Sequence, residues 1–166
     1  MIDVFYRSKN MQANWKILIS CSNLIPIQVA NFGVEMGSVA NILGVDDDQM
    51  NHEILQEILD SKYKLHCVYR GEEAYDFVLS KHPDLILLDI NLPKMNGIEL
   101  CKKIKQQKET ANTQIIFMSA SASDEDIRRG MAAGADYYLP KPFNEDQLLQ
   151  SIEKILNKTS QTCCEN

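Results

Sequence analysis

Basic charge is scarce in this sequence. Its 166 residues carry 17 Lys and Arg against 23 Asp and Glu, a formal net charge of −6. Such a chain has no overall electrostatic grip on nucleic acid or anionic lipid, so neither is an expected partner. Long hydrophobic runs are missing as well. A membrane span needs about 18 or more uninterrupted apolar residues. The nearest approach, Ile17 to Val34, is interrupted by Asn23, Pro26, Gln28 and Asn31. The run Ile17-Leu18-Ile19 ahead of Ser20-Cys21 is too short for the apolar part of a secretory signal. Cysteine is sparse and unpatterned: Cys21, Cys67, Cys101, Cys163 and Cys164 are odd in number and lack zinc-type spacing. They read as reduced thiols of a cytoplasmic protein, not as a disulfide framework or a zinc site.

What is present is 45% hydrophobic and 24% charged, the balance of a folded globular domain. The length fits one domain, or one domain with an appendage. Charge marks the junction. Residues 1–38 hold three basic and two acidic residues, are rich in Asn and Gln, and show no sustained period of 2 or 3.6. They are expected to form a largely mobile N-terminal extension. The alternative is that Trp15 to Val34 packs as an extra element or as a dimer contact. Residues 39–166 hold 14 basic and 21 acidic residues, and here the pattern becomes regular.

Val39 to Val45 is a short apolar run that ends in acids, as a buried strand would. Ile54, Leu55, Ile58 and Leu59 then form one stripe at helical period, with Asp48 placed to cap it. Leu65 to Tyr69 reads as a second strand, and Gly71 opens a helix through Ala74, Phe77 and Val78 that stops at Pro83. Leu85 to Leu88 is apolar on both faces and belongs in the middle of a covered parallel sheet. Asn96-Gly97 is a turn, after which Ile98, Cys101 and Ile104 mark a helix face. Ile115 to Met118 is a fourth strand, Asp124 to Ala133 a helix ended by Gly134, and Tyr137 to Leu139 a short fifth strand. Leu148, Leu149, Ile152, Ile155 and Leu156 stripe the last helix; a polar tail, residues 159–166, follows. Strands alternating with helices over residues 39–158 imply βαβ units: an α/β fold with one parallel sheet and helices on both faces.

In open sheets of this kind, chemistry collects at the carboxyl ends of the strands. The first strand ends in Asp46-Asp47-Asp48, the third in Asp89, the fourth in Ser119-Ala120 and the fifth in Pro140-Lys141-Pro142-Phe143. If these strands are neighbours, at least three carboxylates, a hydroxyl and an ammonium share one rim. Two like charges at ~4 Å repel by about 4 kcal/mol at an effective dielectric of 20. One lysine offsets only part of that. An oxygen-rich set of this kind suits a hard divalent cation, with Mg²⁺ the best fit for a small site with water in its shell. Taken singly, Asp48 reads as a helix cap, Asp84 as a turn residue, Lys141 as solvated, Ser119 as a strand-end hydroxyl and Tyr138 as a half-buried strand aromatic. The constellation is what carries the argument.

Four segments together resemble the receiver domain of two-component response regulators (CheY-like). They are Asn41-Ile-Leu-Gly-Val-Asp-Asp-Asp48, Pro83-Asp-Leu-Ile-Leu-Leu-Asp-Ile-Asn-Leu-Pro-Lys-Met-Asn-Gly97, Ile115-Ile-Phe-Met-Ser-Ala120 and Ala133-Gly-Ala-Asp-Tyr-Tyr-Leu-Pro-Lys-Pro-Phe143. The resemblance implies a flavodoxin-like, doubly wound five-stranded parallel sheet of order 2-1-3-4-5. It implies that Asp89 is the phosphoacceptor. Asp46 and Asp47 would hold Mg²⁺, Asp47 directly and Asp46 partly through water, with Asp89 and the backbone carbonyl of Asn91 as further ligands. Ser119 would be the switch hydroxyl, Lys141 the phosphate-pairing lysine and Tyr138 the aromatic switch, with a cis peptide at Lys141-Pro142. Gly44, where a branched residue is commoner, and Asn96, in place of a frequent Asp, depart from the pattern without touching this chemistry.

The expected function is therefore to accept a phosphoryl group from a histidine kinase or phosphotransfer protein, without being an enzyme in its own right. The signal would pass to a downstream protein through the face formed by the fourth helix, fifth strand and fifth helix; a homodimer is also possible. A stand-alone receiver is the favoured reading; a receiver segment of a hybrid kinase and a non-phosphorylated pseudo-receiver are the alternatives. An aspartyl-phosphate phosphatase would want an acid two residues after its nucleophile, and Asn91 occupies that position.

Overall fold

A strand that is apolar on both faces is stable only where both faces are covered. Leu85–Asp89 is such a strand, and in the computed structural model, which describes residues 39–120 and 123–162, it is buried throughout. It is β3 in the series β1 (Asn41–Val45), α1 (Gln49–Leu59), β2 (Lys64–Val68), α2 (Gly71–Lys81), β3 (Leu85–Asp89), α3 (Gly97–Gln106), β4 (Gln114–Ser119), α4 (Asp124–Ala132), β5 (Tyr137–Pro140) and α5 (Glu145–Thr162). All strand pairs are parallel and the sheet runs β2-β1-β3-β4-β5, the flavodoxin-like order expected. No helix among the described residues is long and apolar enough to cross a membrane. The extension of residues 1–38, including Trp15 to Val34, lies outside the described residues.

Strand side chains alternate between faces, so one short apolar run feeds two cores. Leu43, Val45, Ile86, Leu88, Ile115 and Phe117 meet Ala74 and Val78 of α2 and Leu100, Cys101 and Ile104 of α3. Ile42, Leu85, Leu87, Ile116, Met118 and Leu139 point the other way, toward Leu55 and Leu59 of α1 and Leu148, Ile152 and Ile155 of α5. Gly44 belongs to this second face. A Cβ there would come within 3.2 Å of Leu55 Cδ1 and 3.5 Å of Cys67 Sγ, so the missing side chain is space already filled by α1 and β2.

Two acids just ahead of strands stitch the sheet. Asp84, expected as a turn residue, accepts the Asn41 amide at 2.8 Å on its carboxylate and donates its own amide back to the Asn41 carbonyl at 2.9 Å. Asp136 repeats the device between β4 and β5, with the Ile115 amide at 2.9 Å and its own amide on the Ile115 carbonyl at 2.9 Å. Lys105 of α3 pairs with the same carboxylate at 2.9 Å.

Several local expectations shift. The buried side of α1 is His52, Leu55 and Leu59, while Ile54 is exposed; the helix is rotated so that Ile54 faces the crevice beside Phe143 instead of the sheet. Asn96-Gly97 is a helix start: the Asn96 side chain caps α3 by accepting the Ile98 amide at 2.8 Å. The last helix runs to Thr162, past the expected end at Lys158, because no glycine or proline follows to stop it.

Candidate functional site

The carboxyl ends of β1, β3, β4 and β5 meet at one rim. Strand geometry alone sets the placement: Asp46 follows the last residue of β1, and Asp89 ends the neighbouring β3. Asp46 is fully buried, Asp89 nearly so, and Asp47 is exposed. One oxygen from each of Asp46, Asp47 and Asp89 lies within 4.8 Å of the others.

Lys141, carried in from β5, relieves part of the repulsion. Its Nζ sits 2.6 Å from Asp46 Oδ2 and 2.9 Å from Asp89 Oδ2. The lysine is itself fixed by its amide, which donates to the Ser119 carbonyl at 2.8 Å, and the Lys141-Pro142 bond is cis. Burial alone would raise the Asp46 pKa, but hydrogen bonds from Lys141, Asn51 and the Asp48 amide outweigh it and hold the carboxyl below its ordinary value. Burial alone would lower that of Lys141, but its bonds to the two carboxylates outweigh this and raise it. Asp46 and Lys141 are therefore both charged at neutral pH.

Other donors set the directions of the acids. The Asn91 amide donates to Asp89 Oδ1 at 3.0 Å. Asp48 both caps α1, accepting the Met50 amide at 2.9 Å, and donates its own amide to Asp46 Oδ1 at 2.9 Å. Asn51 was not among the residues singled out from sequence, yet its Nδ2 lies 3.0 Å from both oxygens of Asp46. The available signal was position: Asn51 precedes Leu55 by one helical turn, a polar residue on the side of α1 that turns inward.

Ser119 ends β4 and is buried, and Tyr138 is buried on β5 with its ring centroid 6.4 Å from that of Phe117. Tyr138 is only 8% exposed and lies inward. Gly130 of α4 permits it: a Cβ there would lie 3.0 Å from Phe117 and 3.6 Å from the Tyr138 ring. Beside the acids opens a crevice of about 290 Å³, bounded by Asn51, Ile54, Met118, Ala120, Lys141 and Phe143. A larger one of about 520 Å³, near Ala40, His82, Asp84 and Gln114, lies at the opposite edge of the sheet, away from the carboxylates.

The donor set fits a hard cation. It is made of carboxylate oxygens, Asp47 is open to solvent, and Lys141 supplies one positive charge against three negative. A flavodoxin-like sheet thus gathers an acid trio under a single lysine at its carboxyl edge.

Comparison with known proteins specifies the class. Residues 42–153 match the response regulator receiver domain. The response regulator ArlR of Staphylococcus aureus (strain Mu50) is 38% identical over 124 residues, covering 74% of this chain and 55% of ArlR. Among solved structures, the chemotaxis protein CheY4 of Vibrio cholerae is 30% identical with a TM-score of 0.68, covering 71% of this chain and 99% of that one. A CheY-like receiver domain protein of Methanospirillum hungatei is also 30% identical, with a TM-score of 0.71 over 75% of this chain and 99% of its own. The chain belongs to the response regulator receiver domain family. It spans about half the length of the curated relatives it matches, 55% for ArlR.

Proposed function

We propose that this chain accepts a phosphoryl group on Asp89 from the phosphohistidine of a kinase or phosphotransfer protein, in a Mg²⁺-dependent reaction. The observation that carries the reading is the double ion pair of Lys141, 2.6 Å from Asp46 and 2.9 Å from Asp89, with Asp47 open beside it. Asp47, Asp89 and the Asn91 carbonyl would hold the cation, and Asp46 would act partly through water. When bound, it supplies positive charge for the phosphoryl oxygens.

The protein's own part is positioning and charge. An Asp89 oxygen attacks phosphorus; the new P–O bond forms as the P–N bond to the donor imidazole breaks. The imidazole leaves with the electron pair and is reprotonated from solvent. A carboxylate is a weak nucleophile, so its fixed aim, set by the Asn91 amide and Lys141, matters more than its basicity. Lys141 then exchanges a carboxylate oxygen for a phosphoryl oxygen.

Downstream, the Ser119 hydroxyl is drawn toward the phosphoryl group, which alters the packing around Tyr138. The change reaches the face of α4, β5 and α5, where a protein partner reads it. The acid pair, Asp89 and Lys141 are all present and assembled, which favours this reading over a binding-only pseudo-receiver. The test is incubation with acetyl phosphate and Mg²⁺, read by intact mass. Wild type is expected to gain one phosphoryl group and Asp89→Asn none; equal gain by both, or none by either, refutes the assignment.

A further inference from the structure

The carboxylate of Asp46 is saturated. An ionised carboxylate offers about four lone-pair positions, and Asp46 receives four bonds. The Asp48 amide donates to Oδ1 at 2.9 Å, Asn51 Nδ2 lies 3.0 Å from Oδ1 and 3.0 Å from Oδ2, and Lys141 donates to Oδ2 at 2.6 Å. Asp89 accepts one bond on each oxygen, from the Asn91 amide and from Lys141. Asp47 is exposed and accepts none among the described residues. A cation, or water in its shell, therefore finds open oxygens on Asp47 and Asp89 but must displace a donor to reach Asp46.

The three groups on Asp46 do not yield equally. Lys141 is charged and shared with Asp89, and the Asp48 amide is backbone fixed at the start of α1. Asn51 is a neutral side chain that spans both oxygens, so its bond is the weakest held. We infer that Asn51 is a positioning residue that competes with divalent metal for Asp46, keeping that carboxylate in an outer role and lowering the affinity of the site for Mg²⁺. The inference rests on the metal-site reading above. It also accounts for an amide on the inward side of α1, where Leu55 and Leu59 are apolar.

The sign of the effect separates competition from support. If Asn51 merely propped up the site, its loss would loosen the carboxylates and weaken metal binding; if it competes, its loss tightens binding. Asn51→Leu is close in size and faces the apolar crevice of Ile54, Leu55, Met118 and Phe143, which can receive it. Isothermal titration of the full chain with MgCl₂, at fixed pH and ionic strength, reads the difference. Asn51→Leu is expected to bind Mg²⁺ roughly three- to tenfold more tightly than wild type, the range of one hydrogen bond's net worth. Asn51→Ala shifts the same way, and Asn51→Gln, which retains an amide donor, stays nearer wild type. If the leucine variant does not unfold cooperatively, the alanine variant carries the comparison. Unchanged or weaker binding once the amide is removed overturns the inference while leaving the metal site standing. Absence of binding by wild type and variants alike overturns the metal site and the inference together.

Discussion

Gly97 lies so close to Asp89 that a Cβ there would collide with the Asp89 carbonyl oxygen. The Gly97 amide meanwhile donates to the Ile90 carbonyl at 2.9 Å, so the start of α3 is clamped onto the end of β3. Gly97→Ala should therefore move the backbone that aims Asp89. The expected cost is about 1–3 kcal/mol of stability, as for other overpacked positions, together with slower gain of phosphoryl mass from acetyl phosphate. Urea denaturation and a mass time course check the two effects; a variant with wild-type rate and midpoint would show that the contact does not hold Asp89 in place.

A second backbone constraint lies at the far edge of the sheet. His82 ends α2 with φ 46° and ψ 64°, its amide donating to the Val78 carbonyl at 3.1 Å. A left-handed conformation costs an L-residue roughly 1–2 kcal/mol, and glycine avoids that at an entropic cost of about 0.5–1 kcal/mol. His82→Gly should raise stability by up to about 1 kcal/mol, seen as a higher urea midpoint with an unchanged slope. Because His82 is remote from the acids, phosphorylation should be unaffected.

Much of this was legible in the sequence, and the reason is physical. An apolar run such as Leu85 to Leu88 fits only one environment, and acids directly after strands can meet only at the sheet's carboxyl edge. What stayed hidden depends on rotation and reach. The sequence stripe pointed Ile54 inward, but the observed rotation of α1 buries His52 and exposes Ile54. Asn51 and Lys141 reach Asp46 across separations of 5 and 95 residues, and only the folded backbone shows that both bonds fall on one carboxylate. The stitching roles of Asp84 and Asp136 depend likewise on which strands become neighbours.

His52 supplies a test by pH. It is 2% exposed, its ring lies 4.6 Å from that of Tyr69, and neither ring nitrogen has a hydrogen-bond partner among the described residues. Burial lowers its pKa and the Lys141 charge adds to this; Asp46 and Asp48 oppose both but do not prevail. The unfolded chain, with an ordinary histidine pKa of 6.5, binds a proton that the folded chain resists. Stability should therefore fall as pH drops through 6.5 and level off below the depressed folded value. Urea midpoints between about pH 7.5 and pH 5 should show this slope in wild type and a flatter one in His52→Leu. An identical slope in both would place the titrating group elsewhere.

Lys141 carries the largest electrostatic consequence. Its side chain is 15% exposed and that of Asp46 only 1%, so Lys141→Met leaves a buried carboxylate facing Asp89 without its cation. Breaking a buried pair from one side costs about 3–5 kcal/mol, and the variant should lose stability on that scale without divalent metal. The two partners set the pH range of the loss. Lys141, raised above 10.5, contributes fully below that value and ceases to as pH rises through its folded pKa. Asp46, lowered below 3.8, contributes above that value and ceases to as pH falls through its folded pKa. The difference between wild type and variant should therefore be flat across neutral pH and shrink at both extremes. Mg²⁺ should restore part of the lost stability, because a divalent cation can take over neutralisation of Asp47 and Asp89. A variant no more responsive to Mg²⁺ than wild type would mean that the lysine and the metal do not share the same carboxylate charge.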